Sequence, residues 1–167
     1  HGQNSLDAKA KDPVIVAIDL IDVAAKDYPD HGALKEAIES CLSTARDNKT
    51  RHFFRVARSK LEENSLRVLR IADFNTLGLR GPSRPGTPFH ALLKVAGVSE
   101  GKAETSGGSI GIGKNAAFAA SDLQTVFYST VYQEEDGSKS FLTQGKSILV
   151  SHVDANRKAR RATGYWG

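Results

Sequence analysis

A stretch rich in glycine and proline, from Thr76 to Gly113, places the strongest limit on how this chain can be organised. It holds nine of the 15 glycines and three of the five prolines, so regular secondary structure can occupy little of it. A short apolar helix is predicted inside it, at about residues 88–96. Connections of this length within a compact domain are usually functional. We therefore expect the stretch to have a function of its own.

Two strands and two helices are predicted before this stretch. Residues 13–20 are β-branched and begin with proline, which is typical of a buried strand. Apolar side chains recur at helical spacing over residues 31–46, with Asp30 as the expected N-cap. A second helix is predicted over residues 51–63. The alternating residues 66–72 predict another strand.

The chain after the stretch is predicted to form a short helix and then a β-hairpin. Residues 114–121 are expected to be helical, and residues 125–133 and 141–152 have strand patterns. The turn between these strands is expected at the Asp-Gly pair 136–137. The basic segment 157–161 is expected to be solvated.

Composition and cysteine content exclude several classes of protein. Basic residues outnumber acidic ones by 23 to 19, a surplus too small to identify a nucleic-acid ligand by itself. The longest apolar runs, such as residues 14–18, are far shorter than the roughly 20 residues that cross a bilayer. Cys41 is the one cysteine, so a disulfide within the chain is excluded and a reducing, cytoplasmic compartment is expected. Cys41 itself is predicted to be a small buried residue.

The strongest local motif is the glycine cluster at residues 107–113, Gly-Gly-Ser-Ile-Gly-Ile-Gly. Glycine lets backbone N–H groups approach an anion without obstruction by a side chain. A helix is expected to begin directly after the cluster, so that free amides and the positive end of a helix dipole meet at one point. The cluster therefore predicts a phosphate site, with a flexible hinge as the structural alternative.

A P-loop is the first nucleotide motif to compare with this cluster. Gly108, Gly113 and Lys114 match the pattern G-x-x-x-x-G-K. Asn115 stands where a P-loop has Ser or Thr, and the polar residues 101–106 do not form the strand that a P-loop must follow. The P-loop stays an alternative.

Two other motifs occur earlier in the chain. Asn4, Asp7 and Ala8 have the spacing that places residues on one face of a helix. An amide oxygen on that face could hold a metal ion and a carboxylate could line a pocket. The second motif follows the strand over residues 66–72 and contains Asp73, Asn75, Gly78 and Leu79.

In this order, the motifs resemble those of the GHKL superfamily of ATP-binding domains, which includes DNA gyrase B subunits, heat-shock chaperones of the ninety-kilodalton class, histidine kinases and MutL. The resemblance covers nearly the whole chain, from residue 3 to about residue 150. Residues 3–8 look like the N-box of the family, and residues 73–79 look like the box that binds adenine. Residues 108–113 look like the later glycine box, and residues 82–106 take the position of the ATP lid.

The resemblance implies a role for each motif. Asn4 would ligate magnesium, and Asp73 would accept a hydrogen bond from the amino group of adenine, which guanine lacks. The glycine box would close over the phosphates, with Lys114 as an added point charge. The complete set of candidate nucleotide-binding residues is Asn4, Asp7, Ala8, Asp73, Asn75, Gly78, Leu79, Gly108, Ser109, Ile110, Gly111, Ile112, Gly113 and Lys114.

Some positions depart from the family pattern. The second box normally reads Asp-x-Gly-x-Gly, whereas here Asn75 replaces the first glycine and Gly78 comes one residue late. Asn tolerates left-handed backbone angles, so it can take the place of a glycine. The catalytic Glu of the family lies four residues before the N-box Asn, a position that precedes His1.

The resemblance also implies a fold and a function. The fold would be an α/β (α+β) two-layer sandwich of the Bergerat type, with helices on one face of a mixed, mostly antiparallel sheet. Residues 1–167 would form a single ATP-binding domain of a longer protein, with the lid and glycine box at residues 76–113. The cofactors would be ATP and Mg²⁺, and hydrolysis in the full-length protein would drive conformational change or homodimerisation of a larger machine. Other domains of the parent protein would be partners, nucleic acid is left open as one, and a membrane is not expected.

Three other functions stay open. A histidine-kinase-type domain would have the same pocket and transfer the phosphoryl group to a histidine. A P-loop-like nucleotide binder would depend on Lys114 and not on Asp73. A non-enzymatic interaction domain would bind an acidic partner through residues 157–161, with an affinity that falls steeply with salt.

Overall fold

The computed structural model describes residues 2–94 and 112–167, which form a mixed structure of helices and antiparallel sheets. The helices are α1 (Gly2–Asp7), α2 (His31–Thr44), α3 (Asn48–Leu61), α4 (Pro88–Lys94) and α5 (Ile112–Ala119), with a 3-10 turn at Ala25–Asp27. The strands are β1 (Ile15–Ala24), β2 (Ser65–Phe74), β3 (Thr125–Gln133), β4 (Lys139–Ile148), β5 (His152–Val153), β6 (Ala159–Arg160) and β7 (Thr163–Trp166). Among the described residues no helix has both the length and the apolar character that crossing a bilayer requires.

Three small sheets contain these strands. β1 pairs with β2, β3 and β4 form a hairpin that β7 extends, and β5 pairs with β6. The hairpin turn lies where the Asp-Gly pair predicts it, because Gly137 has a φ of 85° and the Asp136 carboxylate accepts a hydrogen bond from the Ser138 backbone N–H at 2.9 Å. The mixed class and the antiparallel pairing agree with the sequence-based expectation. The burial expected of the first strand is wrong, because Ile15, Ile18 and Leu20 of β1 are exposed.

β1 and β2 are antiparallel, and the α2–α3 helical hairpin lies between them in the sequence. Arg70 pairs with Asp19 at 2.9 Å and Arg67 pairs with Asp22 at 3.4 Å, so three steps forward on β1 match three steps back on β2. Beyond them, the Ala25 backbone N–H donates to the Asn64 carbonyl at 2.9 Å. Residues 25–64 are therefore an insertion between two paired strands.

The chain divides into two compact units. The first contains, among the described residues, 2–18, 71–94, 112–117 and 128–143, and the second contains residues 19–70, 118–127 and 144–167. Within the first unit, the fully or nearly buried side chains are Ser5, Phe89, Leu93, Thr130 and Tyr132.

The second unit has the main hydrophobic core. Its buried members are Tyr28, Leu34, Ile38, Cys41, Phe54, Ala57, Leu61, Leu66 and Leu123. Cys41 is fully buried, as its sequence context predicts, and its Sγ lies 3.2 Å from Nδ1 of His152. Burial raises the pKa of the Cys41 thiol, so the side chain remains a neutral, small core residue.

The two long helices begin differently from one another. The Asp47 carboxylate caps α3, because it accepts a hydrogen bond from the Thr50 backbone N–H at 2.9 Å. This cap places the start of α3 at Asn48, three residues before the predicted start. Asp30 occupies the N-cap position of α2 but makes no cap hydrogen bond, and its carboxylate accepts instead from the Gly167 backbone N–H at 2.8 Å. The prediction of Asp30 as the N-cap residue is therefore confirmed in position, although its side chain does not cap the helix.

The end of the chain contains more β-structure than its sequence suggests. The predicted strand over residues 141–152 stops at Ile148, and His152–Val153 belongs to the separate strand β5. β7 then pairs antiparallel with β4, from Gly145 opposite Trp166 to Ile148 opposite Thr163. The tail over 157–161 is exposed as expected, although Ala159–Arg160 forms strand β6.

Candidate functional site

The predicted N-box lies on α1 and on the turn that follows it. Asn4 and Asp7 are both in this helix, whereas Ala8 lies just after its end. The helix stops there because the Lys9 backbone N–H closes a tight turn onto the Leu6 carbonyl at 3.2 Å. The Asp7 carboxylate is exposed and accepts a hydrogen bond from the Gln3 side-chain amide at 3.0 Å. The predicted helix therefore includes Asn4 and Asp7 and ends before Ala8.

The segment after α1 pairs directly with the second motif. The Leu77 backbone N–H donates to the Ala8 carbonyl at 2.9 Å, and Lys9 forms an antiparallel bridge with Thr76. The Asn75 carbonyl accepts from the backbone N–H groups of residues 10 and 11 at 2.8 and 3.2 Å. These bonds bring the end of the predicted N-box and the predicted adenine box together.

Asn75 and Gly78 both have left-handed backbone conformations. Their φ angles are 63° and 69°, values that glycine and asparagine adopt more readily than other residues. The Asn75 side-chain amide also donates to the Pro13 carbonyl at 2.6 Å. Asn75 thus provides the conformation for which the family pattern uses glycine.

Gly78 and Leu79 are fixed against strand β3. A Cβ added at Gly78 would overlap the Val131 carbonyl oxygen, so only glycine fits there. The Leu79 backbone N–H donates to the buried Thr130 hydroxyl at 2.8 Å. These contacts set the path of the chain just after the candidate adenine-binding residues.

Asp73 is the next-to-last residue of β2. Its carboxylate is exposed, and within residues 2–94 and 112–167 no hydrogen bond or ion pair occupies it. An exposed carboxylate two residues before Asn75 is free to accept a hydrogen bond from a ligand.

The glycine box is only partly within the described residues. Gly108, Ser109, Ile110 and Gly111 lie outside them. Ile112, Gly113 and Lys114 form the first turn of α5, which begins two residues earlier than predicted.

The described part of the predicted lid is ordered around Thr87. The Thr87 hydroxyl lies 2.6 Å from the Pro82 carbonyl and 2.9 Å from the Arg84 carbonyl, and it accepts from the His90 backbone N–H at 3.3 Å. It thereby caps α4, whose first residue is a proline, as is common at that position. The Ser83 hydroxyl in the same loop is a buried oxygen that lacks a partner among the described residues.

Three residues that position the candidate site are absent from the sequence-based set. Pro13 accepts the Asn75 amide, and Thr130 and Val131 hold Leu79 and Gly78. All three act through contacts with residues more than 50 positions away, apart from any motif. No local sequence signal marks them, because Pro13 and Val131 act through backbone carbonyls and the Thr130 hydroxyl bonds to a residue distant in the sequence.

Two exposed carboxylates in this region could contact a metal ion. Asp7 and Asp73 supply exposed carboxylate oxygens, and oxygen is the ligand that Mg²⁺ prefers. Within the described part of the chain, no group of three or more His, Cys, Asp or Glu side chains is arranged to hold a metal ion. A metal ion here would therefore need oxygen atoms of another kind, such as those of an amide, a phosphate or water.

Comparisons of the chain with protein-family models, curated proteins and solved structures give no significant match.

Proposed function

We propose that this chain binds Mg–ATP, with Asp73 binding the adenine base and the glycine-rich segment binding the phosphates. The observation that carries the proposal is the direct pairing of residues 8–11 with residues 75–77. It brings together two motifs that are about 65 positions apart in the sequence and that the resemblance to GHKL domains assigns to one nucleotide.

The backbone around Asp73 supports this assignment. Asn75 and Gly78 turn the chain through left-handed conformations, and Gly78 lies against the Val131 carbonyl with no room for a side chain. The turn that follows Asp73 therefore has one well-defined backbone path. The Asp73 carboxylate is exposed beside it.

The sequence offers residues that could contact the magnesium and phosphate groups. An amide at Asn4, on α1, would supply one oxygen ligand, and phosphate oxygens would complete the coordination of the ion. Lys114, in the first turn of α5, would add positive charge at the phosphates. The ion, when bound, would neutralise phosphate charge.

The wider functional proposal also rests on the resemblance. In the longer protein, the domain would have the Bergerat arrangement and would couple ATP hydrolysis to conformational change or dimerisation in a cytoplasmic machine. A Glu upstream of His1 would activate the water. The present chain would contribute nucleotide binding and base selection.

Isothermal titration calorimetry with Mg–ATP tests the proposal. Asp73→Asn is expected to raise Kd about 10- to 100-fold, because it removes a charge-assisted hydrogen bond. The matched control is Asp27→Asn, which neutralises an exposed aspartate of the second unit and should leave Kd unchanged. Mg–GTP should bind more weakly than Mg–ATP.

Two results would contradict this proposal in different ways. Equal Mg–ATP affinity in the wild type and Asp73→Asn would reject the adenine role of Asp73. If Lys114→Ala abolished binding in that same series, the P-loop-like alternative would replace it. Absence of any nucleotide binding, together with salt-sensitive binding of an acidic partner, would favour the interaction domain.

A further inference from the structure

The α3 helix has an unusual charge for its length. Its 14 residues include five cationic side chains, namely Lys49, Arg51, Arg55, Arg58 and Lys60, and no acidic residue. Arg46 adds a sixth cation just before the Asp47 cap. The net charge of the whole chain is only +4. The positive charge is therefore concentrated at this helix, and acidic and basic residues nearly cancel in the rest of the chain.

Three of these cations form a stripe along one side of the helix. At 3.6 residues per turn, Arg51, Arg55 and Arg58 fall within an arc of about 60°. All three are exposed, whereas the core side of the helix buries Phe54, Ala57 and Leu61. We call Arg51, Arg55 and Arg58 the arginine stripe.

Most of the stripe has no carboxylate partner. Arg58 lies 3.8 Å from Glu62, which Lys35 also approaches to 4.0 Å. Among the described residues no carboxylate lies within ion-pair distance of Arg51 or Arg55. Like charges at i and i+4 destabilise a helix, so this pair is an unfavourable arrangement that an anionic partner would relieve.

The residue type and its spacing indicate phosphate. A guanidinium group binds a phosphate through two parallel hydrogen bonds, which an ammonium group cannot do. Four residues of helix place Arg51 and Arg55 about 6 Å apart along the axis. A partner with regularly repeated phosphates can therefore contact the stripe at several points.

The surroundings of the stripe favour duplex nucleic acid over other polyanions. The apolar side of α3 is buried in the core, so the helix has no free apolar face to insert into a membrane surface. Phe54 is buried, and the half-buried Phe53 ring stands edge-on to it with ring centroids 5.0 Å apart, so α3 has no fully exposed Phe, Tyr or Trp ring on which unstacked bases could stack. The mode of binding that remains for the stripe is contact with the phosphate backbone of a duplex.

We propose that the arginine stripe on the inserted α2–α3 hairpin binds the phosphate backbone of double-stranded nucleic acid without sequence preference. The stripe and the hairpin lie wholly in the second unit, whereas the candidate nucleotide residues lie in the first. The proposal is thus independent of ATP binding, and either one can fail alone.

Fluorescence anisotropy with a labelled duplex of about 20 base pairs, titrated over a series of salt concentrations, tests it. The double variant Arg51→Gln with Arg55→Gln is expected to raise Kd at least about 10-fold at low salt. The slope of log K against log salt should become less steep by about 2, because each lost phosphate contact removes about 0.9. Circular dichroism of the variant checks that α3 remains folded.

A matched control distinguishes the stripe from general positive charge. The double variant Lys158→Gln with Arg161→Gln removes two exposed cations elsewhere in the same unit, and it should leave the salt slope unchanged. Equal losses in both double variants would overturn the assignment to the stripe. The proposal would also be overturned if the wild type bound neither duplex DNA nor duplex RNA at about 50 mM salt, or if it bound phosphatidylserine vesicles as tightly as it binds a duplex. Binding of either duplex supports the proposal, and the duplex that binds more tightly identifies the type of nucleic acid.

Discussion

At the scale of single residues, backbone conformation decides which side chains the candidate site can use. Asn75 and Gly78 have positive φ angles, and each is locked there by a contact from outside its own segment. The Asn75 amide bonds to Pro13, whereas Gly78 meets a backbone carbonyl of β3. At position 75, asparagine can take the place of a glycine because there is room for its side chain. At position 78 no other residue can, because an added Cβ would overlap the Val131 carbonyl oxygen.

We predict that Gly78→Ala destabilises the protein by about 2–4 kcal/mol, because it adds left-handed backbone strain to an overlap with the Val131 carbonyl. Gly86→Ala is the matched control. Gly86 also has a positive φ, of 91°, but nothing lies within 4 Å of an added Cβ. The control should lose only about 1–2 kcal/mol. Urea denaturation measures both losses, and equal losses would contradict the packing argument.

At the scale of elements, the two helices of the insertion show how similar acidic residues can have different roles. Asp47 and Asp30 both precede a helix, but only the Asp47 carboxylate accepts a hydrogen bond from a backbone N–H in the first turn of its own helix. Hydrogen bonds from Thr50 lower the pKa of Asp47. The sequence shows an aspartate before each helix, and it cannot show that the left-handed conformation of Asp30 directs its carboxylate to Gly167 instead.

The sign of the pH effect at Asp47 follows from this lowered pKa. Its cap contribution is complete above the unfolded-state pKa of about 3.9 and is lost as the pH falls through the lower folded-state value. We predict that Asp47→Ala lowers the urea midpoint at pH 6 and that the difference from wild type shrinks towards pH 2. Asp47→Asn, which keeps a capping oxygen without the charge, should have a smaller effect at pH 6. A difference that stayed constant between these pH values would contradict the prediction.

The elements themselves were predicted where their signals are local. Strand β3 has the predicted bounds, and the hairpin turn follows from the Asp-Gly pair. The short final strand β7 was not predicted, because its four residues are stabilised by pairing with β4 and not by a pattern of their own. The pairing of residues 8–11 with 75–77 was likewise not predicted, because it joins segments about 65 positions apart.

At the scale of the molecule, segments far apart in the sequence are joined through one buried hydroxyl group in the second unit. Ser147 is fully buried, and its Oγ lies 2.7 Å from the Thr125 hydroxyl and accepts from the Trp166 indole N–H at 2.6 Å. The Thr125 hydroxyl donates in turn to the Leu123 carbonyl at 2.9 Å. Strands β3, β4 and β7 are thus linked by side chains as well as by their backbones.

We predict that Ser147→Ala costs about 1–3 kcal/mol of unfolding free energy, because it removes the partner of the half-buried Trp166 indole N–H and of the buried Thr125 hydroxyl. Trp166 is the one tryptophan of the chain, so its fluorescence reports the change directly. Ser129→Ala, which removes an exposed hydrogen bond of 3.0 Å to Thr143, is the matched control and should cost little. A similar loss of unfolding free energy in both variants would contradict the prediction that the buried network contributes more than an exposed hydrogen bond.

The bond between the Ala25 N–H and the Asn64 carbonyl has a consequence for how such a chain can change during evolution. Because residues 25–64 leave and rejoin the paired strands at adjacent points, the exposed positions of the two helices between them can change without shifting β1 against β2, whereas their buried positions belong to the core. Natural variation can then accumulate on the outer surface of the hairpin while the alignment of residues 8–13 with 75–77 stays fixed. Relatives that differ mainly within this one interval would be the expected outcome of such freedom.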